Sequence, residues 1–301
     1  MSSYLECNAR ERIQQLFDTD SLDEFLPPSA RVISPHLGQL NAPVAFDDGV
    51  VVGKARLNGE IVFIAAQEGG FMGGAVGEVH GAKLVGMLRR AAIERPCAVV
   101  LLLETGGVRL HEANAGLIAV SEVMRAVLDT RAAGIPVLVL IGGSNGCFGG
   151  MGIVARCANF IVMSEEGRLA MSGPEVIETA NGVEEFDSRD RALVWRTTGG
   201  KHRYLLGDCQ MIVADSVAAF RDAAIAAIEM IGRQHSDSIA LTMEALEREQ
   251  ELLTARISSF GDLPDPLAIW HAMGMGDADN IPMLEISEFI SKAQDHRLGT
   301  A

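Results

Sequence analysis

Two wholly apolar runs, each the length of one buried strand, break off into glycine. Ala98-Val99-Val100-Leu101-Leu102-Leu103 leads into Glu104-Thr105-Gly106-Gly107. Pro136-Val137-Leu138-Val139-Leu140-Ile141 leads into Gly142-Gly143-Ser144-Asn145-Gly146-Cys147-Phe148-Gly149-Gly150. Strands apolar at every position suit a parallel sheet covered on both faces by crossover helices. Glycine has no Cβ, so backbone N–H groups at these turns can point into a cleft unobstructed. Two such turns side by side aim two N–H groups at one oxygen, the geometry of an oxyanion hole. Taken alone, Gly106-Gly107 reads equally well as a tight turn whose glycines permit positive φ. The second cluster strengthens the functional reading, because ligands gather at the strand ends of open α/β sheets.

The flanking pattern agrees with a crossover fold. Residues 3–18 read as a charged helix, followed by a stretch broken at Pro27-Pro28 and Pro35. Val50 to Leu57 and Glu60 to Ala65 are β-rich runs joined by Asn58-Gly59, the strongest short-range signal for a hairpin. A helix is expected from about Val76 to Ile93. Leu110, Ala113, Leu117, Val120, Met124 and Val127 recur at helical spacing and predict one buried face over 110–132. Phe160 to Met163 reads as another strand. The C-terminal third is helical, with a helix over 238–258, an irregular link at 264–271 and a last helix near 284–294. The expected division is an N-terminal segment at 1–45, an α/β domain at 46–235 and a helical extension at 236–301.

Bulk properties exclude several classes. A chain of 301 residues buries enough surface for a substantial core. Its net charge of −15 repels phosphate backbones, so no nucleic-acid partner is expected. The five cysteines are scattered without a C-x-x-C pair, which fits neither a disulfide framework nor a thiolate metal site, and no metal is expected. The start of the chain lacks a basic, then apolar, leader, and no apolar run reaches the roughly 20 residues of a membrane span. A reduced cytoplasm is the expected compartment.

No G-x-G-x-x-G or G-x-x-x-x-G-K-[ST] motif occurs, which removes the dinucleotide and P-loop signatures. Gly142, Ser144 and Gly146 do form G-x-S-x-G after a strand, the pattern of a nucleophile elbow. A helix should follow that serine, yet Gly149, Gly150 and Gly152 lie there, and each interior glycine costs a helix about 1 kcal/mol. His202, His235 and His271 are downstream, without a spacing that singles one out. Cys147 reads as a small buried hydrophobe rather than a nucleophile. Near the first turn, Glu112 and Arg109 read as helix-start electrostatics and carboxylate pinning, while acid–base work by His111 stays open.

In order along the chain, these segments resemble the carboxyltransferase branch of the crotonase superfamily. Phe71-Met72-Gly73-Gly74-Ala75-Val76-Gly77 through Lys83 resembles its F-x-G-G-S-x-G-x-V-x-x-x-K block. Thr105-Gly106-Gly107-Val108-Arg109-Leu110-His111-Glu112 resembles S-G-G-A-R-[MI]-Q-E. Asn145-Gly146 through Gly149-Gly150, and then Gly173-Pro174-Glu175-Val176-Ile177-Glu178, resemble the N-G-x-x-x-G-G and G-P-x-V-I-E blocks. Within that branch the chain is most similar to the beta subunits of malonate decarboxylases, including Asp265-Pro266-Leu267-Ala268-Ile269-Trp270.

The resemblance implies an α/β, crotonase-like β-β-α spiral forming a single carboxyltransferase half, with a helical C-terminal extension. It implies backbone donors at Gly106, Gly107, Gly149 and Gly150, and substrate contacts at Gly73, Gly74, Arg109 and His111. The implied reaction decarboxylates a malonyl thioester to an acetyl thioester. No cofactor is expected on this chain, since a CoA-derived prosthetic group would come on a partner acyl carrier protein. The other implied partners are a related gamma subunit and an acyl/CoA transferase alpha subunit. Two neighbouring patterns are missing: the four-cysteine zinc ribbon of bacterial acetyl-CoA carboxylase beta subunits and the Met-Lys-Met site of a biotin carrier. A biotin-dependent carboxyltransferase subunit remains the alternative, with a serine hydrolase using Ser144 behind it.

Overall fold

The computed structural model describes residues 2–233 and 242–299. Helix α1 (Ala9–Leu16) starts at Asn8, whose side chain accepts from Glu11 N–H while Glu11 reaches back, a capping box that shortens the helix expected over 3–18. A short edge strand β1 (Asp23–Phe25) comes next, then the hairpin of β2 (Val50–Leu57) and β3 (Glu60–Gln67). Asn58 and Gly59, at φ +52° and +84°, make the tight turn that the sequence predicted. Helix α2 (Glu78–Glu94), β4 (Ala98–Leu103), α3 (Asn114–Ala132), β5 (Val137–Ile141), α4 (Gly149–Arg156) and β6 (Phe160–Ser164) alternate through the centre. The remaining elements are α5 (Pro174–Asn181), α6 (Arg191–Thr198), α7 (Gly200–Leu205), β7 (Met211–Val213), α8 (Val217–Arg233), α9 (Met243–Phe260), α10 (Pro266–Ala272) and α11 (Ile286–Ala293).

The seven strands form one sheet in sequence order. β1, β2 and β3 pair antiparallel, and β3 through β7 run parallel. Strand periodicity divides each apolar run between two cores. Val99, Leu101, Leu103, Val137, Val139 and Ile141 face α2, α3 and α4. Val100, Leu102, Leu138 and Leu140 face α1 and α8. Past the ends of the main strands the chain pairs again, through isolated bridges Val76–Val108, Thr105–Cys147 and Cys147–Leu169. Each turn of the chain therefore contributes a sheet strand, a short second strand and a helix. This is a β-β-α spiral.

Several further elements differ from the sequence reading. Leu110 to Glu112 is a separate 3-10 turn, and α3 begins only at Asn114. The buried face of α3 runs through Gly116, Ala119, Val120, Val123, Ala126 and Val127, leaving Leu110 and Leu117 exposed at 86% and 57%. Small residues win that face because α2 crosses closely: a Cβ on Gly81 would lie 2.6 Å from the Ala119 methyl. Residues 266–272 are helical rather than irregular, since Asp265 caps the Ala268 N–H and Pro266 sits in the first turn. Trp270, Phe289 and Ala293 from the C-terminal elements share the core beneath β7. The helix expected over 238–258 begins at Met243, and 238–241 fall outside the described residues. No described helix is long and apolar enough to cross a membrane.

Candidate active site

The two glycine turns end adjacent parallel strands and touch each other. Leu103 pairs with Ile141 at the strand ends, and beyond them Thr105 N–H donates to Gly146 O (2.8 Å) while Phe148 N–H donates to Thr105 O (3.0 Å). This second pairing brings Gly107 against Gly149. A Cβ added to Gly149 would lie 3.0 Å from Gly107 Cα, and one added to Gly107 would lie 3.4 Å from Gly149 Cα. Gly107, at φ +120°, and Gly149, at φ +62°, hold backbone conformations that favour glycine.

The hydrogen bonds sort the four candidate donors, occupying Gly106, Gly107 and Gly149 and leaving Gly150. Gly106 N–H donates to Gly73 O (2.8 Å), and Gly149 N–H to Met171 O (2.9 Å). Gly107 N–H donates to the Thr105 hydroxyl (3.0 Å). Among the described residues, the N–H groups of Val108, Gly150 and Met151 have no acceptor. Gly150 and Met151 lie in the first turn of α4, where N–H groups lack intrahelical partners and the helix dipole favours negative charge. The first turn therefore offers Val108, which the sequence reading did not single out, rather than Gly106. Alternation was the available signal: Arg109 N–H pairs with Val76 O (2.9 Å), which turns the preceding amide away from that strand.

Other predicted residues take supporting positions. Gly74 packs its backbone on Glu104 and Thr105, where any Cβ would collide with the Glu104 carbonyl, while Gly73 faces open space. Arg109 is buried, paired with Asp48 (2.6 Å) and Glu112 (3.6 Å), and lies over the Phe71 ring. Glu112 accepts from Glu78 N–H (2.7 Å) at the start of α2, so its helix-start role is served on a different helix. His111 is exposed on the 3-10 turn. Glu104 ties both turns together. Its backbone opens the first, and its buried carboxylate accepts from Arg12, from Ser144 Oγ (3.1 Å) and from Asn145 N–H (3.2 Å) in the second.

The same contacts bear on the nucleophile candidates. Ser144 Oγ bonds a carboxylate already paired with Arg12, and among the described residues no histidine is its partner. His202 accepts from Trp270 Nε1 (3.1 Å), and burial depresses it to about 3. His271 is exposed, and His235 lies outside the described residues. Burial pushes the Cys147 thiol well above its ordinary value, the opposite of nucleophile activation. The glycines after Ser144 do form helix α4, contrary to propensity, because its first turn packs tightly: a Cβ on Gly150 would press on Val120 Cγ1.

A β-β-α spiral with unpaired amides on abutting strand-end turns defines an enzyme of the crotonase type. Residues 6–250 match the carboxyl transferase domain, and the chain belongs to that family. It is 39% identical to the malonyl-S-ACP:biotin-protein carboxyltransferase MADC of Malonomonas rubra, over 97% of this chain and 96% of that protein. It is similar to a chain of the Pseudomonas malonate decarboxylase hetero-tetramer solved with malonate, at 37% identity and TM-score 0.81, covering 90% of this chain and 97% of that one. The propionyl-CoA carboxylase beta chain of Saccharopolyspora erythraea is 33% identical over 66% of this chain, which spans 36% of that protein.

Proposed function

We propose that this chain is the subunit of a biotin-independent malonate decarboxylase that cleaves a malonyl thioester carried by a partner acyl carrier protein. The abutting Gly107 and Gly149, with free amides one residue beyond each, carry this reading. The C–C bond to the carboxylate breaks, carbon dioxide leaves, and the electron pair flows into the thioester carbonyl as an enolate. Protonation at carbon then gives the acetyl thioester. The cost lies in negative charge building on the carbonyl oxygen, which fixed N–H donors meet more strongly in the transition state than in the ground state. At about 3 kcal/mol per donor, Val108 and Gly150 together supply about 6 kcal/mol, or about four orders of magnitude in rate. Gly106 and Ser144 are exposed beside them, leaving an approach for a thioester on a flexible arm. A related gamma subunit and an acyl/CoA transferase alpha subunit complete the proposed complex; the Pseudomonas malonate decarboxylase relatives were solved as a hetero-tetramer and a hetero-dimer.

One observation favours a second reading: the Malonomonas relative is named for transfer to a biotin protein. The same oxyanion site serves that reaction, with the carboxyl group passed on rather than released. The two readings separate when the purified complex is given malonyl thioester with no biotin protein present. Release of carbon dioxide at full rate supports the decarboxylase, and strict dependence on an added biotin protein assigns the carboxyltransferase.

A further inference from the structure

The carboxyl ends of β6 and the C-terminal helices enclose a cavity of about 260 Å³, lined among others by Glu165, Glu166, Arg191, Trp195, Arg196 and Lys201. Its charges do not cancel internally. Lys201 spends its three donors on Glu165 (3.0 Å), Pro282 O (3.0 Å) and Leu284 O (2.6 Å), so this cation and carboxylate satisfy each other. Arg191 lies over the Trp195 ring at 5.1 Å, and among the described residues neither it nor Arg196 has an ion-pair or hydrogen-bond partner. Trp195 Nε1 is buried and also without a partner. Glu166 is the one carboxylate of the wall left to oppose two guanidiniums, with Glu175 acting at longer range on Arg168. In a chain of net charge −15, a wall with two uncommitted arginines is prepared for an anion.

Arg168 joins this cavity to the second glycine turn. Its guanidinium lies over Trp195 at 4.7 Å and over Phe148 at 5.6 Å, and it donates to Ser144 O. Its own carbonyl accepts from Cys147 N–H (2.8 Å). The cavity and the oxyanion turn therefore share one residue. A phosphate matches the donors better than a carboxylate does, since it presents three acceptor oxygens to two planar guanidinium forks.

We propose that the cavity bounded by Arg191, Arg196 and Trp195 is a phosphate subsite, holding a phosphate of the arm that carries the acyl thioester to the glycine turns. This rests on the arm-borne thioester of the function proposed above. A free nucleotide carries the same chemistry, and the test separates the two sources.

The chain's two tryptophans, Trp195 and Trp270, both line the cavity, so the intrinsic fluorescence of the full chain reports on it directly. The probes are CoA, ATP and pantetheine, titrated into the parent chain and the double variant Arg191→Gln/Arg196→Gln. Among the described residues neither arginine has an ion pair, so the variant should fold normally. CoA is expected to change the emission saturably, and pantetheine, which has no phosphate, to leave it unchanged. The variant should bind CoA about ten- to a hundredfold more weakly, as expected when charged donors are removed from a phosphate. No saturable change with CoA, or equal binding by the variant, overturns the subsite. ATP binding as tightly as CoA overturns the assignment to the thioester arm. Decarboxylation is measured separately on the complex: activity without a CoA response defeats the subsite alone, and a CoA response without activity defeats the proposed function alone.

Discussion

Gly149→Ala is the most informative single perturbation, because it wedges apart the two turns without touching a side chain of the site. The added Cβ would sit 3.0 Å from Gly107 Cα, tighter than nine in ten real Cβ contacts, so one backbone must give by a few tenths of an ångström. The left-handed conformation at φ +62° adds about 1–2 kcal/mol for an alanine. Stability should therefore fall modestly, with Tm lower by about 2–3 °C for a chain of this size. The free amides of Val108 and Gly150 lie on opposite sides of the widened contact, so an oxygen held by both loses part of each bond. If opening the gap forfeits a third to a half of two donors worth about 3 kcal/mol each, kcat falls about 30- to 150-fold. KM should move much less, because the lost stabilisation belongs to charge that develops in the transition state. The assay is steady-state decarboxylation of a malonyl thioester beside a thermal melt. A normal kcat at the expected lower Tm refutes the reasoning, since the contact would have opened without consequence for the chemistry.

Other predictions follow from the same contacts. Gly107→Val puts a β-branched side chain at φ +120° against Gly149 and should cut turnover far more than stability, read by kcat and urea midpoint. Ser144→Ala should retain activity within about threefold of the parent, because its hydroxyl serves Glu104 rather than substrate; a dead, folded variant reopens the hydrolase. Arg12→Met strands the buried Glu104 carboxylate and should cost about 3–5 kcal/mol of stability by chemical denaturation. Burial depresses His80 and His202 to about 3 from 6.5, so the native state refuses protons that the unfolded chain accepts. That stability is present above pH 6.5 and lost as pH falls toward 3, the loss reaching about 2 kcal/mol per histidine by pH 5. His202→Gln should remove about half of the slope in a pH series of melts.

The parts of the fold legible in the sequence were those set by local chemistry. The β2–β3 hairpin followed from Asn58-Gly59, and the central strands from runs with no polar residue to expose. What failed depended on neighbours far along the chain. Leu110 and Leu117 keep helical spacing with Val120, yet the closeness of α2 selects Gly116 and Ala119 for the buried face instead. Glycine content argued against a helix after Ser144, but close packing on Val120 and Ala170 requires those glycines in α4. The site was legible at the level of turns and not of atoms. Which amides stay free depends on long-range acceptors such as Gly73 O and Met171 O, and no spacing in the sequence encodes them. Trp195, Arg191 and Arg196 went unremarked because their environment exists only after α6, α7 and the C-terminal segment converge.

The account depends on polarisation of a thioester carbonyl by the amides beyond Gly107 and Gly149. Isotope-edited infrared spectroscopy of an acetyl thioester, carbon-13 labelled at the carbonyl and bound to the complex, reads that polarisation directly. The account predicts a carbonyl stretch lower than in water, with the shift largely lost in Gly149→Ala at saturating ligand. An unshifted stretch in a fully active parent complex would contradict it.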